Sequence, residues 1–190
     1  MPKRSFGPKT MVFPHPVFVI GSYGQDGVPN IATASWAGIC CSQPPAVAVS
    51  WRPSRLSYDN IMQRGAFTVN IPSTGHARQA DYAGIYSGRA GDKFEALGLT
   101  PVRSALVDAP AVGEFPVTLH CRLIHSFELG CHTQLVGEIL ELEVDEAVLD
   151  DQGRPDIRKI DPLIYASGDR AYYGVGELVA QAFAVGRRQG

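Results

Sequence analysis

Asn30-Ile-Ala-Thr-Ala-Ser-Trp36 and the later run Arg52-Pro-Ser-Arg-Leu-Ser57 decide how this chain reads. Successive side chains of a strand point to opposite faces, so Ile31, Thr33 and Ser35 share one face and Asn30, Ala32, Ala34 and Trp36 the other. A strand of alanine, threonine and serine is poor core filler. It lets a ligand approach the backbone and offers it hydroxyl and amide groups. The second run gathers two guanidiniums and two hydroxyls just before a predicted helix start, which is the donor set a phosphate monoester requires.

Around these runs the chain reads as strands. Val17–Ser22 is a buried strand, and Gln25-Asp26-Gly27 turns it into Asn30–Trp36 to make a hairpin. Ala46–Trp51 follows the Pro44-Pro45 break. Ser57 is placed to cap a helix over Tyr58–Arg64, with Gly65 ending it. Ala66–Ile71 is a further strand, and His76–Ala83 and Asp92–Leu97 read as short helices. Val117–Glu128 and Thr133–Val148 flank Gly130 as a long antiparallel hairpin. Gly176–Val185 is the last helix candidate. Many strands, few short helices and no regular strand–helix–strand repeat predict a mainly β barrel with helical decorations. Gly174-Val-Gly176 lacks the remainder of a dinucleotide-binding fingerprint.

With 190 residues and no repeat or linker, the expectation is a single domain over residues 1–190. A net charge of −2 with mixed signs gives no basis for a nucleic-acid or membrane partner. No apolar run of about 18 residues predicts a membrane span, and Pro14, His15 and Pro16 interrupt any leader-like stretch, so the expected location is the cytoplasm. Cys40, Cys41, Cys121 and Cys131 form no disulfide framework, because a bridge between adjacent cysteines is strained. Cys121 and His125 share a strand face but lie about 13 Å apart along it, which argues against a tetrahedral metal centre there.

A small-residue strand for a flat ring and a neighbouring phosphate cluster together point to flavin mononucleotide (FMN). In order and spacing, the hairpin, Asn30–Trp36, Arg52–Ser57 and Gly65–Pro72 strongly resemble the flavin reductase-like, FMN-binding split-barrel proteins, and among them the flavoredoxin-like members. Ser87-Gly88, Asp92-Lys93-Phe94, Phe115-Pro116-Val117, Cys131-His132-Thr133, Gly137-Glu138-Ile139 and Asp161–Tyr165 continue the match, which runs from about Pro16 to Gly186. The resemblance implies a six-stranded Greek-key split barrel with short flanking helices, a homodimer, and FMN near the dimer interface. By position its flavin contacts fall on Asn30, Thr33, Trp36, Arg52, Ser54, Arg55, Ser57, Lys93, His132 and Tyr165. Ser57 stands where threonine is common, and keeps the hydroxyl.

On this reading Arg52 and Arg55, with Ser54 and Ser57, hold the phosphate; Asn30 and Thr33 bond the ring edge or ribityl chain; Ala32 and Ala34 leave it room; Ser35 counts among the cofactor-binding positions. Lys93 has two readings, a solvated lysine in a helix's first turn or an ammonium acting on the reduced ring. Trp36 either packs beside the flavin or fills the barrel end. Tyr165 covers or shapes the pocket, and His132 is a positioning group, since hydride transfer to a flavin needs no general base. No catalytic residue is therefore assigned. The implied activity is NADH- or NADPH-dependent reduction of FMN, with electrons passed to an acceptor. The alternatives are an FMN-bound electron carrier fed by a redox protein, and the reductase partner of a two-component monooxygenase.

Overall fold

Branched and small residues that alternate along Phe18–Tyr23 (β2) and Pro29–Ala34 (β3) pair antiparallel, with Ile20 opposite Ala32 and Val19 opposite Thr33. Gly27 takes φ 80° in the turn between them, a conformation glycine adopts without strain. The structure is a computed structural model and describes residues 1–187. A short strand, His15–Pro16 (β1), precedes the hairpin. After it come Ala37–Ser42 (β4), Pro45–Trp51 (β5), helix Leu56–Arg64 (α1) and Ala66–Ile71 (β6). Helices Ala77–Ile85 (α2) and Lys93–Leu97 (α3) lead to the small ribbon of Pro101–Arg103 (β7) and Pro110–Val112 (β8). The long hairpin is Val117–Leu129 (β9) and His132–Val144 (β10), turned at Gly130 with φ 60°. Helix Ile157–Ile160 (α4) and strands Ile164–Ala166 (β11) and Ala171–Tyr173 (β12) complete the described elements.

The principal sheet is antiparallel in the order β3-β2-β6-β9-β10-β5-β4. It holds seven strands where six were expected. The additional one is β4, a largely exposed edge strand with a register shift between Ile39 and Cys41. Its Gly38, Cys40, Cys41 and Ser42 give no alternating apolar signal, which is why the sequence hides it. The sheet curls on itself, so Ala32 and Ala34 of β3 share one interior core with Val47, Val49 and Trp51 of β5, Phe67 and Leu135. Ile31 faces outward into a second core with Val17, Val19, Ala80, Ala83 and Phe94, under α2 and α3. The two-faced alternation of this strand therefore holds, and both faces are covered.

Two local expectations change. Helix α1 begins at Leu56 with Arg55 as its N-cap residue and no side-chain cap, so Ser57 lies inside the first turn and does not cap. Gly65 closes it in the left-handed conformation, as expected. Residues 176–185 do not form a helix; they run as coil and turns. Leu178, Val179, Phe183 and Val185 are exposed there, and a short segment without a surface to pack on gains too little to stay helical.

Gly137 sits at a register shift between β10 and β9, where an added Cβ would lie 2.4 Å from Phe67 Cζ and 3.0 Å from Cys121 Cβ. Gly137→Ala is expected to overpack the interior and lower stability by about 1–3 kcal/mol, read as a fall in urea midpoint. Adding Phe67→Leu should recover part of that loss as a measurable coupling in a double-mutant cycle. Strict additivity of the two substitutions would contradict this packing.

Candidate cofactor cleft

Lys93 is the buried hub from which the site is built. Asp92 caps α3, accepting hydrogen bonds from the amides of Phe94 and Glu95, and this sets the direction in which Lys93 leaves the helix. The side chain runs inward and is only 4% exposed. Its Nζ donates to Ile31 O on β3 and to Ala83 O on α2, each at 2.8 Å. An ammonium carries three N–H groups, so one remains for a further acceptor. Burial, with the nearby Arg55 guanidinium adding to it, pushes the lysine down to about 8. Of the two readings of Lys93, the solvated surface lysine is thereby excluded.

Beside it, Asn30 Nδ2 donates to Ser57 Oγ at 2.9 Å, joining β3 to the first turn of α1. Asn30 Oδ1 is buried without a partner among the described residues. Asn30, Ala32, Arg55, Ser57, Gly88 and Lys93 line one small gap. Gly88 is required there, because a Cβ would come within 2.0 Å of Asn30 Oδ1.

Arg55 also borders the next hollow, of about 350 Å³, whose wall is Thr33-Ala34-Ser35-Trp36 and whose other sides carry Trp51, Arg52, His132 and Tyr165. Thr33 Oγ1 donates to Ala80 O at 2.5 Å, which fixes its rotamer and leaves its oxygen lone pairs. Trp51 is buried, and its Nε1 donor has no partner among the described residues. Trp36 lies beyond the end of β3, is 41% exposed, and stacks on His15 with ring centroids 5.2 Å apart. It does not fill the barrel interior; Trp51 does, in the core with Val47 and Val49. Tyr165 stands beside His15 and Tyr172, at 6.1 and 5.6 Å. His132 opens β10, with Nδ1 3.1 Å from Cys131 Sγ.

The predicted residues thus gather around one gap and one hollow joined at Arg55. Ser54 is the exception: it is exposed and borders neither. Sequence reasoning missed His15, Asp81 and Tyr172. Asp81 accepts a hydrogen bond from Tyr172 Oη at 2.9 Å, and burial followed by that carboxylate holds the phenol well above its ordinary range. No spacing signal in the chain announces them, since they come from α2, β1 and β12.

Chemically, the arrangement suits a ligand with a flat ring and an anionic tail. The small-residue wall and the indoles of Trp36 and Trp51 offer a surface for such a ring. Arg52, Arg55, the spare Lys93 proton and the uncapped amides of α1 offer donors for such an anion. The unpartnered Asn30 Oδ1 and Trp51 Nε1 fit this demand, because buried polar atoms ordinarily find a partner.

Comparison with known proteins gives the same frame. The family described as flavin reductase like domain matches residues 10–174. A flavoredoxin of Desulfovibrio vulgaris (Miyazaki F) is 54% identical, covers 97% of this chain and 100% of its own, and superposes with a TM-score of 0.94. A flavoredoxin from Methanosarcina acetivorans is 29% identical over 98% of both chains, with a TM-score of 0.92. A Shewanella frigidimarina protein described as a flavin reductase with a split barrel domain is 26% identical, covering 90% of this chain and 87% of its own, at TM-score 0.81. The curled sheet is thus a split barrel.

The buried ammonium has a pH signature. Below pH 8 folded and unfolded chains both hold the Lys93 proton, whereas between about 8 and the unfolded value of about 10.4 only the unfolded chain does. Its contribution to stability therefore rises with pH through that window. The buried Cys121 thiol, pushed up to about 12, acts in the opposite sense above about pH 9, so the test belongs between pH 7 and 9. The Lys93 13Cε resonance should titrate near pH 8, and the stability of the parent protein relative to Lys93→Met should increase from pH 7 to 9. A titration above pH 10, with parallel stability curves, would contradict the buried site.

Proposed function

The chain belongs to the flavin reductase-like domain family, and from that premise we propose that its cleft binds FMN and serves electron transfer from NADH or NADPH to an acceptor. The observation that carries this is the buried Lys93–Asn30–Ser57 cluster, which joins β3, α1 and α2 and leaves an ammonium proton and an amide oxygen unspent beside Arg55. When bound, FMN supplies the hydride acceptor and the stepwise release of electrons.

The chain's own residues bind, orient and exclude water. Arg52 and Arg55 offset the phosphate charge at the mouth of the cleft, and the first turn of α1 supplies amide donors. Ser57 works indirectly on this account: its hydroxyl holds the Asn30 amide, which turns Asn30 Oδ1 toward the ligand. Thr33 and Ser35 offer hydroxyls to the ring edge or ribityl chain, and Ala32 and Ala34 leave room for it. Lys93 brings positive charge to the phosphate end, in the gap it shares with Arg55. Trp36, Tyr165 and His132 shape the hollow's open side. No side chain is asked to move a proton during hydride transfer.

We further propose a homodimer whose second chain helps to enclose the ring. Its support is the exposed apolar surface a single chain leaves: Ile39 on β4, and Leu178, Val179, Phe183 and Val185 in the segment after β12.

The phosphate assignment predicts that FMN binds more tightly than riboflavin, and that Arg55→Ala weakens FMN by about ten- to a hundredfold, as expected for a charge-assisted contact of about 1.5–3 kcal/mol. Riboflavin affinity should barely move. Equal affinities for FMN and riboflavin in the parent protein would remove the phosphate from this site. Under anaerobic conditions NADH or NADPH should bleach the bound flavin. A yellow protein that neither nucleotide bleaches is instead a carrier charged by another redox protein.

A further inference from the structure

We infer that the segment ahead of Thr10 docks on a second copy of this chain, with Phe6 seated in a hollow between the β7–β8 ribbon and the β9–β10 hairpin. That hollow holds about 460 Å³ and shares no lining residue with the cleft beside Trp51. Val102 of β7, Val112 of β8, Phe115 and Val144 of β10 give it apolar walls, and Glu143 and Asp145 stand at its rim. It therefore suits an aromatic or aliphatic body that carries positive charge beside it.

The walls are fixed from behind by Asn70, a fully buried residue of β6. Its Oδ1 accepts from Val112 N at 3.0 Å and from Thr118 Oγ1 at 3.1 Å, while its Nδ2 donates to Val19 O and Thr68 Oγ1, each at 2.9 Å. Asp145 N donates to Pro116 O at 2.9 Å, which closes the opposite side. At the rim, Glu143 Oε2 lies 3.0 Å from Nε2 of the buried His120. The rim belongs to a wider acidic surface: residues 138–151 carry seven carboxylates and no lysine or arginine. Among the described residues, only Glu138, Glu143 and Asp150 of these enter ion pairs.

The occupant is written at the other end of the same chain. Lys3, Arg4 and Lys9 flank Phe6, and no acidic residue occurs before Asp26. None of the three cations has a carboxylate partner among the described residues. Residues 1–14 are exposed and belong to no helix or strand; Phe6 is 66% exposed, with the Arg4 guanidinium 5.7 Å from its ring centroid. The segment is moored at Thr10, whose carbonyl accepts from Ser167 Oγ at 3.3 Å. Nine free residues span about 30 Å when extended, a length suited to crossing between copies. One aromatic anchor flanked by cations thus faces one apolar hollow rimmed by carboxylates, the pairing that concentrates binding energy at interfaces. Each copy offers both parts, so the contact is reciprocal in a two-fold pair.

Photo-cross-linking of the full chain with p-benzoylphenylalanine in place of Phe6 tests this. After irradiation in low salt, a denaturing gel should show a species at twice the 20.5 kDa of one chain, with peptide mapping placing the link at Val102, Val112, Phe115 or Val144. Arg4→Glu, in exposed coil, should lower the yield about fivefold, and Asp145→Lys added to it should restore the yield. Raising the salt to 1 M should weaken the parent's link as the charges are screened. FMN affinity is expected to be the same in every variant, since none of these residues lines the cleft. A link to the same hollow that stays at the mass of one chain would overturn docking between copies. A link that maps elsewhere, or no link in a protein that sediments as a dimer, would overturn the contact while the homodimer stands. The parent's mapped link decides the matter even if the charge-swapped variant folds poorly.

Discussion

The structure turns on one ammonium held by two carbonyl groups. Lys93 Nζ joins Ile31 O of β3 to Ala83 O of α2, and the residue itself belongs to α3. Three elements far apart in the chain are therefore tied at one buried point. Burying a charge is costly unless it is hydrogen-bonded, and the two carbonyls meet only part of that requirement. An incoming anion or acceptor would meet the remainder. Burial, with Arg55 beside it, holds its proton less firmly than that of an ordinary lysine.

The second constraint is steric. Ala32 and Ala34 point into the barrel, where larger residues would normally fill space, and Trp51, Phe67 and Leu135 supply the missing volume from other strands. Because β3 is thin on that side and covered by helices on the other through Ile31, its backbone and its Thr33–Trp36 end stay open at the barrel rim. The Asn30–Ser57 hydrogen bond then brings the first turn of α1 against this strand, so the small-residue wall and an uncapped helix start become neighbours. Glycine at position 88 completes the geometry by leaving out a side chain.

Much of this was legible in the sequence because it rests on local rules. Alternation identified β3 and its two faces, glycine marked the end of α1, and Gly130 located the long hairpin. A cation in a helix's first turn is mildly unfavourable, and Lys93 is accordingly held by two carbonyls and not by solvent. What stayed hidden depends on tertiary contacts. The β4 strand is an edge held by backbone pairing with β5, which leaves no apolar pattern to read. Ser57 precedes a helical run as a cap would, yet Asn30 claims its hydroxyl and the helix starts two residues earlier than expected, at Leu56. Trp36 could not be placed from strand alternation because the strand ends at Ala34. Residues 176–185 carry a helical composition without a surface to pack on.

The central claim is that one cleft along β3 holds the flavin with its phosphate between the start of α1 and Lys93. A crystal structure of the FMN-loaded protein tests it most directly. The account predicts density for the phosphate within hydrogen-bonding distance of Arg55 and the first amides of α1, with the ring against Thr33–Trp36 and Trp51. A flavin ring lodged instead beside Asp59 and Gln63, or a phosphate remote from both Arg55 and Lys93, would contradict it.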